Sequence, residues 1–93
     1  MSRTASAVVT VVNKLGLHAR PATLFAQTAA GAEAEIKVRR CDFGDAVDAK
    51  SIMQMMMLAA TMGTEIEISA QGSDAGRIVE TLVNLVKSGF RED

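Results

Sequence analysis

The sequence has very few aromatic residues and very little cysteine. Its aromatic residues are three phenylalanines, with no tryptophan and no tyrosine, so any core has to be built mainly from aliphatic side chains and methionine. A single cysteine, Cys41, excludes a disulfide framework within the chain, and with one histidine it excludes a cysteine–histidine metal cluster. A reducing compartment, the cytoplasm, is the simplest setting for such a chain.

The sequence also lacks a strong charge excess and a long apolar run. The formal net charge is −1, which argues against nucleic-acid binding through a basic surface. No segment approaches the ~20 apolar residues that cross a bilayer, and the N-terminus lacks the apolar stretch of a signal peptide. We therefore expect a single soluble domain over residues 1–93, without membrane insertion.

The hydrophobic pattern predicts alternating strands and helices. β-Branched or alternating segments predict strands at residues 6–12, 34–39, 46–48 and 64–69. Apolar residues at helical spacing predict helices at residues 19–30, at 51–58, and from residue 75 to a stop at 87–89. The order β-α-β-β-α-β-α predicts an α/β (α+β) fold, a two-layer sandwich with helices on one face of a sheet and the other face open.

Two parts of this pattern leave the strand details undetermined. The valines at positions 8, 9, 11 and 12 crowd together, so the buried face of the first strand is ambiguous. Residues 40–48 carry turn-forming side chains and at most a short edge strand, and the register of this hairpin cannot be assigned.

The chain's one histidine and one proline lie three residues apart, at His18 and Pro21. Helical spacing of apolar residues follows, and Gly31 supplies a stop. Proline is accepted in the first turn of a helix, where its missing N–H would have had no partner. The helix therefore begins at or just after His18, although either His18 or Arg20 could be the N-cap.

This position gives His18 a chemical role. A helix N-terminus offers unpaired N–H groups and partial positive charge, which together attract anions. The same field disfavours an imidazolium, so we expect a neutral, nucleophilic His18 near pH 7. Arg20 adds a planar cation suited to phosphate oxygens. The arrangement predicts a residue that accepts and holds a phosphoryl group, and the alternative is an exposed histidine before an ordinary helix.

The segment Gly16-Leu17-His18-Ala19-Arg20-Pro21-Ala22 resembles the active-site signature of HPr, the histidine-containing phosphocarrier family of the bacterial phosphoenolpyruvate-dependent sugar phosphotransferase system. The segment Asp48-Ala49-Lys50-Ser51-Ile52-Met53 resembles the regulatory serine motif of the same family. The resemblance implies a four-stranded antiparallel sheet of order 1-4-2-3 with three helices on one face. It also implies a monomeric carrier rather than an enzyme, with no cofactor and no metal.

The resemblance assigns roles to individual residues. It implies that His18 accepts a phosphoryl group on Nδ1 from phosphorylated enzyme I, with Arg20 as charge partner, and donates it to enzyme IIA. It implies that Leu17, Ile52, Met53 and Met56 contact these partners. Helix one contains no lysine, whereas many relatives place lysines there, so we expect weaker electrostatic steering towards acidic partners.

Ser51 and the methionines each admit two interpretations. The Ser51–Gln54 spacing is that of a helix capping box, and the resemblance implies instead, or in addition, phosphorylation of Ser51 by an HPr kinase/phosphorylase. Methionines at 53 and 55–57 are ordinary core filling by default, but a short helix cannot turn all of them inward. An exposed methionine surface would suit a carrier with several partners.

Other functions are open at this point. Within the family, the chain could be a nitrogen-branch or purely regulatory phosphocarrier. From a different class, it could be a non-catalytic interaction module that uses the methionine surface. A stand-alone hydrolase or metalloenzyme is the least supported, because one histidine and one cysteine supply neither a catalytic triad nor a ligand set.

Overall fold

The structure, a computed structural model, describes residues 3–91. The elements within these residues are β1 (Thr4–Thr10), α1 (Ala19–Ala30), β2 (Glu35–Arg40), β3 (Val47–Asp48), α2 (Ile52–Met57), β4 (Glu65–Gln71), α3 (Ala75–Lys87) and a 3₁₀ turn (Gly89–Arg91). The predicted element order is confirmed. None of the helices in the described part of the chain is long and apolar enough to cross a bilayer.

The strands form one antiparallel sheet in the order β1-β4-β2-β3, as the resemblance implied. β4 is the shared central strand: it pairs with β1 from Thr10↔Glu65 to Thr4↔Gln71, and with β2 along its length. β3 contributes two residues at the far edge, where Val47 lies opposite Val38. The sheet therefore brings the beginning and the second half of the chain together.

The core lies between the sheet and the helices. α3 packs on β1 and β4, while α2 packs against α1 and β3. Val9 and Val11 are buried and Val8 and Val12 are exposed, which resolves the ambiguity of the first strand. The alternation leaves the other face of the sheet open, as predicted.

α1 and α2 lie side by side and run in opposite directions. Lys50, just before α2, donates a hydrogen bond from Nζ to the carbonyl of Ala32, just beyond α1, at 2.8 Å. At the other end, the N–H of Leu17, just before α1, donates to the carbonyl of Ala60, beyond α2, at 2.9 Å. The loop that precedes His18 is thus held against the segment that follows α2.

The third helix ends at Lys87 as predicted, but the chain then turns back into the core. Gly89, Phe90 and Arg91 all have positive φ, at 67°, 57° and 60°. Phe90 is only 2% exposed. The left-handed conformation costs Phe90 and Arg91 about 1–2 kcal/mol each, and burying the phenyl ring offsets about 1.5–3 kcal/mol of this. The sequence pattern stops at Gly89 and does not reveal this anchor.

The 40–48 segment differs from a tight hairpin because Arg40 holds it. The Arg40 guanidinium donates to both carboxylate oxygens of Asp42 at 3.0 and 2.9 Å and lies 4.4 Å from the centroid of the Phe43 ring. It also donates to the carbonyl of Ala59, beyond α2, at 2.9 Å. The hydrogen bonds from the Arg40 guanidinium lower the pKa of Asp42. The predicted edge strand shortens to Val47–Asp48.

Candidate functional site

His18 is the N-cap of α1. Its backbone is extended (φ −74°, ψ −173°), and its carbonyl accepts the first helical hydrogen bond, from the N–H of Ala22 at 3.0 Å. The predicted span of α1 is confirmed, and its N-cap is His18 rather than Arg20. The imidazole is partly exposed and Arg20 is exposed, so both can meet another molecule.

The first turn of α1 provides the anion-attracting end that the sequence predicts. Helix geometry leaves the N–H groups of Ala19 and Arg20 without a carbonyl in a preceding turn, and Pro21 has no N–H to leave. Pro21 is fully buried and so fixes this turn against the core. The site therefore combines an imidazole, a guanidinium and two backbone donors at one helix end.

The loop before His18 is held by contacts that the sequence does not reveal. Asn13 is buried, and its Nδ2 donates to the carbonyl of Gly16 at 2.8 Å, while the Gly16 N–H donates back to the Asn13 carbonyl at 3.1 Å. Sequence reasoning missed Asn13; the only available signal was the Asn-x-x-Gly turn spacing. The loop owes its shape to this reciprocal pair.

Gly16 is needed because the two loops touch at backbone level. Its φ is +67°, and a Cβ there would meet the carbonyl oxygen of Ala60 and approach the Cα of Thr61 to 2.8 Å. A side chain would therefore clash with backbone that cannot rotate away. The glycine of the motif sets how closely the His18 loop lies on the chain beyond α2.

Leu17 was wrongly predicted as a docking residue. Its side chain is 4% exposed and belongs to the hydrophobic core. Its N–H is bonded to Ala60, which turns the side chain inward. The side chain therefore offers almost no surface to a partner.

The predicted docking residues on α2 are exposed. Ile52, Met53 and Met56 are 40%, 74% and 44% exposed, and Met57, which was not among the predicted docking residues, is 73% exposed. We call these four residues the Met patch. Met55 alone among the α2 methionines is fully buried. The prediction that these methionines cannot all face inward is confirmed.

Ser51 is the N-cap of α2, and the predicted capping box is half correct. Ser51 Oγ accepts a hydrogen bond from the N–H of Gln54 at 3.2 Å. Gln54 does not return the contact: its Oε1 accepts from the N–H of Asp48 at 2.9 Å. The Ser51 N–H donates to the Asp48 carbonyl at 3.1 Å, in the turn that precedes α2. This bond takes the place of the one that Gln54 would make in a complete capping box.

The structure places Ser51 and His18 in different parts of the α1–α2 pair. Ser51 follows Lys50, whose side chain reaches the residues beyond the C-terminal end of α1, whereas His18 begins α1. The Met patch starts immediately after Ser51. Among residues 3–91 there is no group of three or more His, Cys, Asp or Glu side chains able to hold a metal ion.

Comparison with known proteins points to one family. A family model described as the PTS HPr component phosphorylation site matches residues 5–88. Phosphocarrier protein HPr of Neisseria meningitidis is 42% identical over 84 residues, which cover 90% of this chain and 92% of that protein. Phosphocarrier protein NPr of Escherichia coli is 36% identical over 90 residues, 97% of this chain and 99% of that protein.

A solved structure gives the same result. HPr-C-His from Thermoanaerobacter tengcongensis superposes with a TM-score of 0.88 at 39% identity, over 96% of this chain and 98% of that one. The sheet order and the histidine that begins α1 agree with these matches. The chain therefore belongs to the HPr family, and it is a phosphocarrier of the phosphotransferase system rather than an enzyme.

Proposed function

We propose that His18 accepts a phosphoryl group from phosphorylated enzyme I and passes it to enzyme IIA in sugar uptake. Phosphoenolpyruvate is the original donor, as the resemblance to the family implies. The observation that carries the proposal is the position of His18 as the N-cap of α1, with an exposed guanidinium two residues on. Both groups lie on the surface, where a carrier has to present them to other proteins.

The chemistry asked of this site is an exchange of one P–N bond for another. A ring nitrogen of His18 attacks the phosphorus of the donor's phosphohistidine, the donor's P–N bond breaks, and a P–N bond to His18 forms. The three phosphoryl oxygens carry the charge, and we expect the Arg20 guanidinium and the N–H groups of Ala19 and Arg20 to stabilise it. Positioning and charge are the contributions that phosphoryl transfer needs from a protein.

The direct test is labelling with phosphoenolpyruvate and enzyme I. We expect one phosphoryl group per chain, stable in alkali and lost in acid, as an N-linked phosphate should be. His18→Ala should take up no label, with an unchanged circular dichroism spectrum as the control for folding. Label that survives this substitution would falsify the assignment.

We assign the docking of enzyme I and enzyme IIA to the Met patch. Ile52, Met53 and Met56 supply exposed apolar area beside α1, and methionine side chains adapt to more than one partner. We further propose that an HPr kinase/phosphorylase modifies Ser51, at the edge of this surface. Both proposals fit a monomer that acts in the cytoplasm.

A nitrogen-branch phosphocarrier is the second candidate. One observation favours it: the relative named NPr aligns over 97% of this chain. Phosphorylation rates with enzyme I of the sugar branch and with its nitrogen-branch counterpart separate the two. A kcat/KM that favours the nitrogen-branch donor by about tenfold or more, a free-energy difference of ~1.4 kcal/mol, would reassign the branch while leaving His18 as the acceptor.

A further inference from the structure

A groove lies between the loop before His18 and the end of α3, outside the Met patch. It has a volume of about 830 Å³. Its walls are residues of the β1–α1 loop, Met62 from the segment beyond α2, and the chain from Lys87 to Arg91. Arg20 also lines it, so the groove begins at the phosphoryl site itself.

The charged side chains of the groove are all of one sign. Four cationic residues line it, and each is exposed: Lys14, Arg20, Lys87 and Arg91. None of the lining residues, all of which belong to the described ranges of the chain, is acidic. In a chain with a formal net charge of −1, such a concentration of positive charge is a local feature.

Large apolar side chains accompany these cations. Val12, Leu15 and Met62 line the same groove and are 49%, 70% and 58% exposed. Exposed apolar side chains grouped with one sign of charge mark interaction surfaces more often than scattered ones do. The groove therefore offers a partner both apolar surface to bury and positive charge.

The backbone around the groove is held in place. Leu15 precedes Gly16, whose backbone rests on Ala60 and Thr61, and Met62 follows directly. On the other wall, buried Phe90 anchors the turn that carries Arg91. Side chains on a fixed backbone lose less entropy on binding than those on a mobile one.

We propose that this groove is a second contact surface for the phosphoryl-transfer partner, and that it takes an acidic segment bearing an apolar side chain. Carboxylates of the partner would pair with Lys14, Lys87 and Arg91, while the apolar side chain covers Leu15 and Met62. The proposal rests on the proposed function, because the partner is the protein that exchanges the phosphoryl group with His18.

Two features of the molecule favour this occupant. The groove is continuous with the phosphoryl site through Arg20, so a partner seated on His18 covers both. α1 contains no lysine, so the cations able to attract an acidic partner to His18 lie on the groove side. The apolar residues favour a protein over a nucleic acid, whose outer surface is phosphate.

The test measures phosphorylation of His18 by enzyme I over a range of chain concentrations at low and high salt. Lys14→Glu and Lys87→Glu should each raise KM about tenfold at low salt, reduce its salt dependence, and change kcat less than about twofold. Leu15→Ser should raise KM without altering the salt dependence. Lys37→Glu and Val8→Ser, which introduce the same side chains on the open sheet face, are the matched controls and should leave KM within about twofold.

A titration of ¹⁵N-labelled wild-type chain with enzyme I needs no variant. We expect amide signals of Leu15, Met62 and Lys87 to shift or broaden, and those of Val8 and Lys37 to stay in place. If the groove variants have the same KM as their controls and the groove amides do not shift, the groove proposal is overturned. Labelling of His18 in that experiment would still support the carrier function. Groove amides that respond without any labelling of His18 would overturn the proposed function and with it the transfer role of the groove, and would leave only a contact with enzyme I.

Other occupants give distinct results, and each of them overturns the proposal. Amide shifts at the groove that grow with the chain's own concentration would assign it to a second copy. Binding to vesicles containing anionic lipid, lost in Lys87→Glu, would assign it to a lipid surface. If neutralising Glu92 and Asp93 lowers KM by as much as Lys87→Glu raises it, the groove is assigned to the chain's own acidic residues.

Discussion

Arg20 is the one charged side chain of α1, and it is exposed beside the N-cap. Its charge should matter to transfer rather than to folding. We expect Arg20→Ala to slow phosphoryl transfer from enzyme I by more than about tenfold and to change the free energy of unfolding by only ~0–1 kcal/mol. Single-turnover transfer and denaturant unfolding measure the two effects.

Gln27→Ala, an exposed change on the same helix, is the control for Arg20→Ala and should affect neither quantity. Transfer in Arg20→Ala at the wild-type rate would remove Arg20 from the site. A large loss of stability would instead show that the guanidinium has a structural role.

Gly16 makes a sharper prediction, because the chain contains a matched glycine. Gly16 and Gly44 both have positive φ, but a Cβ at Gly44 meets nothing within 4 Å. Gly44→Ala should therefore cost only the left-handed conformation, ~1–2 kcal/mol, while Gly16→Ala should cost a further ~1–3 kcal/mol for the backbone clash. Thermal or denaturant unfolding of both variants checks this, and equal costs would contradict the close approach of the loops.

The residues of the site differ in how far the sequence reveals them. The position of His18 and Arg20 at the start of α1 could be predicted from helix spacing and the single proline, although the choice of His18 as N-cap could not. Leu17 and Phe90 could not: the Leu17 N–H bonds to Ala60, which is remote in sequence, and Phe90 reaches the core through a left-handed backbone that the pattern does not indicate. Asn13 is intermediate: its hydrogen bond to Gly16 crosses a local turn, and the Asn-x-x-Gly spacing was the one signal for it.

Among the helices, α2 carries the prediction about regulation. A phosphate on Ser51 brings about −1.5 to −2 charges next to Ile52 and Met53, which a partner must cover and desolvate. We expect phosphorylation to raise the KM for enzyme I about ten- to a hundredfold without unfolding the chain. Ser51→Asp should reproduce part of this rise in steady-state labelling of His18.

Two variants separate charge from capping. Ser51→Ala loses the hydrogen bond to the Gln54 N–H and should cost ~0.5–2 kcal/mol of stability while leaving the KM nearly unchanged. Ser73→Asp adds the same charge at an exposed turn before α3 and should also leave the KM unchanged. If Ser51→Asp is labelled as efficiently as these two, Ser51 is a helix cap and nothing more.

The elements themselves followed from local signals wherever those signals were unambiguous. α1 could be placed by its spacing, Pro21 and Gly31, and β2 and β4 by alternation. The burial of β1 could not be assigned, because valine occupies both faces and only pairing with β4 distinguishes them. The conformation of the 40–48 hairpin could not be predicted because Arg40 bonds to Ala59, which is remote in sequence.

For the molecule as a whole, Asp74 ties two elements together. It is the N-cap of α3, but its carboxylate accepts the N–H groups of Glu33 and Ala34, beyond α1, at 2.9 Å each. The pKa of Asp74 is held below 3.8. The main cause is the hydrogen bond from Glu33, followed by the hydrogen bond from Ala34 and the charge of Arg77. The carboxylate therefore stabilises the fold fully above about pH 3.8, and this stabilisation is lost as pH falls through the lowered folded-state pKa.

We expect Asp74→Asn to lower Tm at pH 7 and the difference from wild type to shrink as pH falls below about 3.8. Melting curves between about pH 2 and 7 measure this. Asp45→Asn, an exposed change in the irregular hairpin, is the control and should leave Tm nearly unchanged. A wild-type advantage that stays constant over the whole range would mean that the charge of Asp74 does not contribute.

The central position of β4 has a consequence for the speed of folding. β1 is hydrogen-bonded only to β4, with Thr10 opposite Glu65, so the first strand to be synthesised has no sheet partner until the last strand exists. Pairing across so much intervening chain closes a long loop, and we expect folding slower than that of a helical bundle of this length. Until β4 emerges from the ribosome, the valine-rich first strand stays open to other chains and to chaperones.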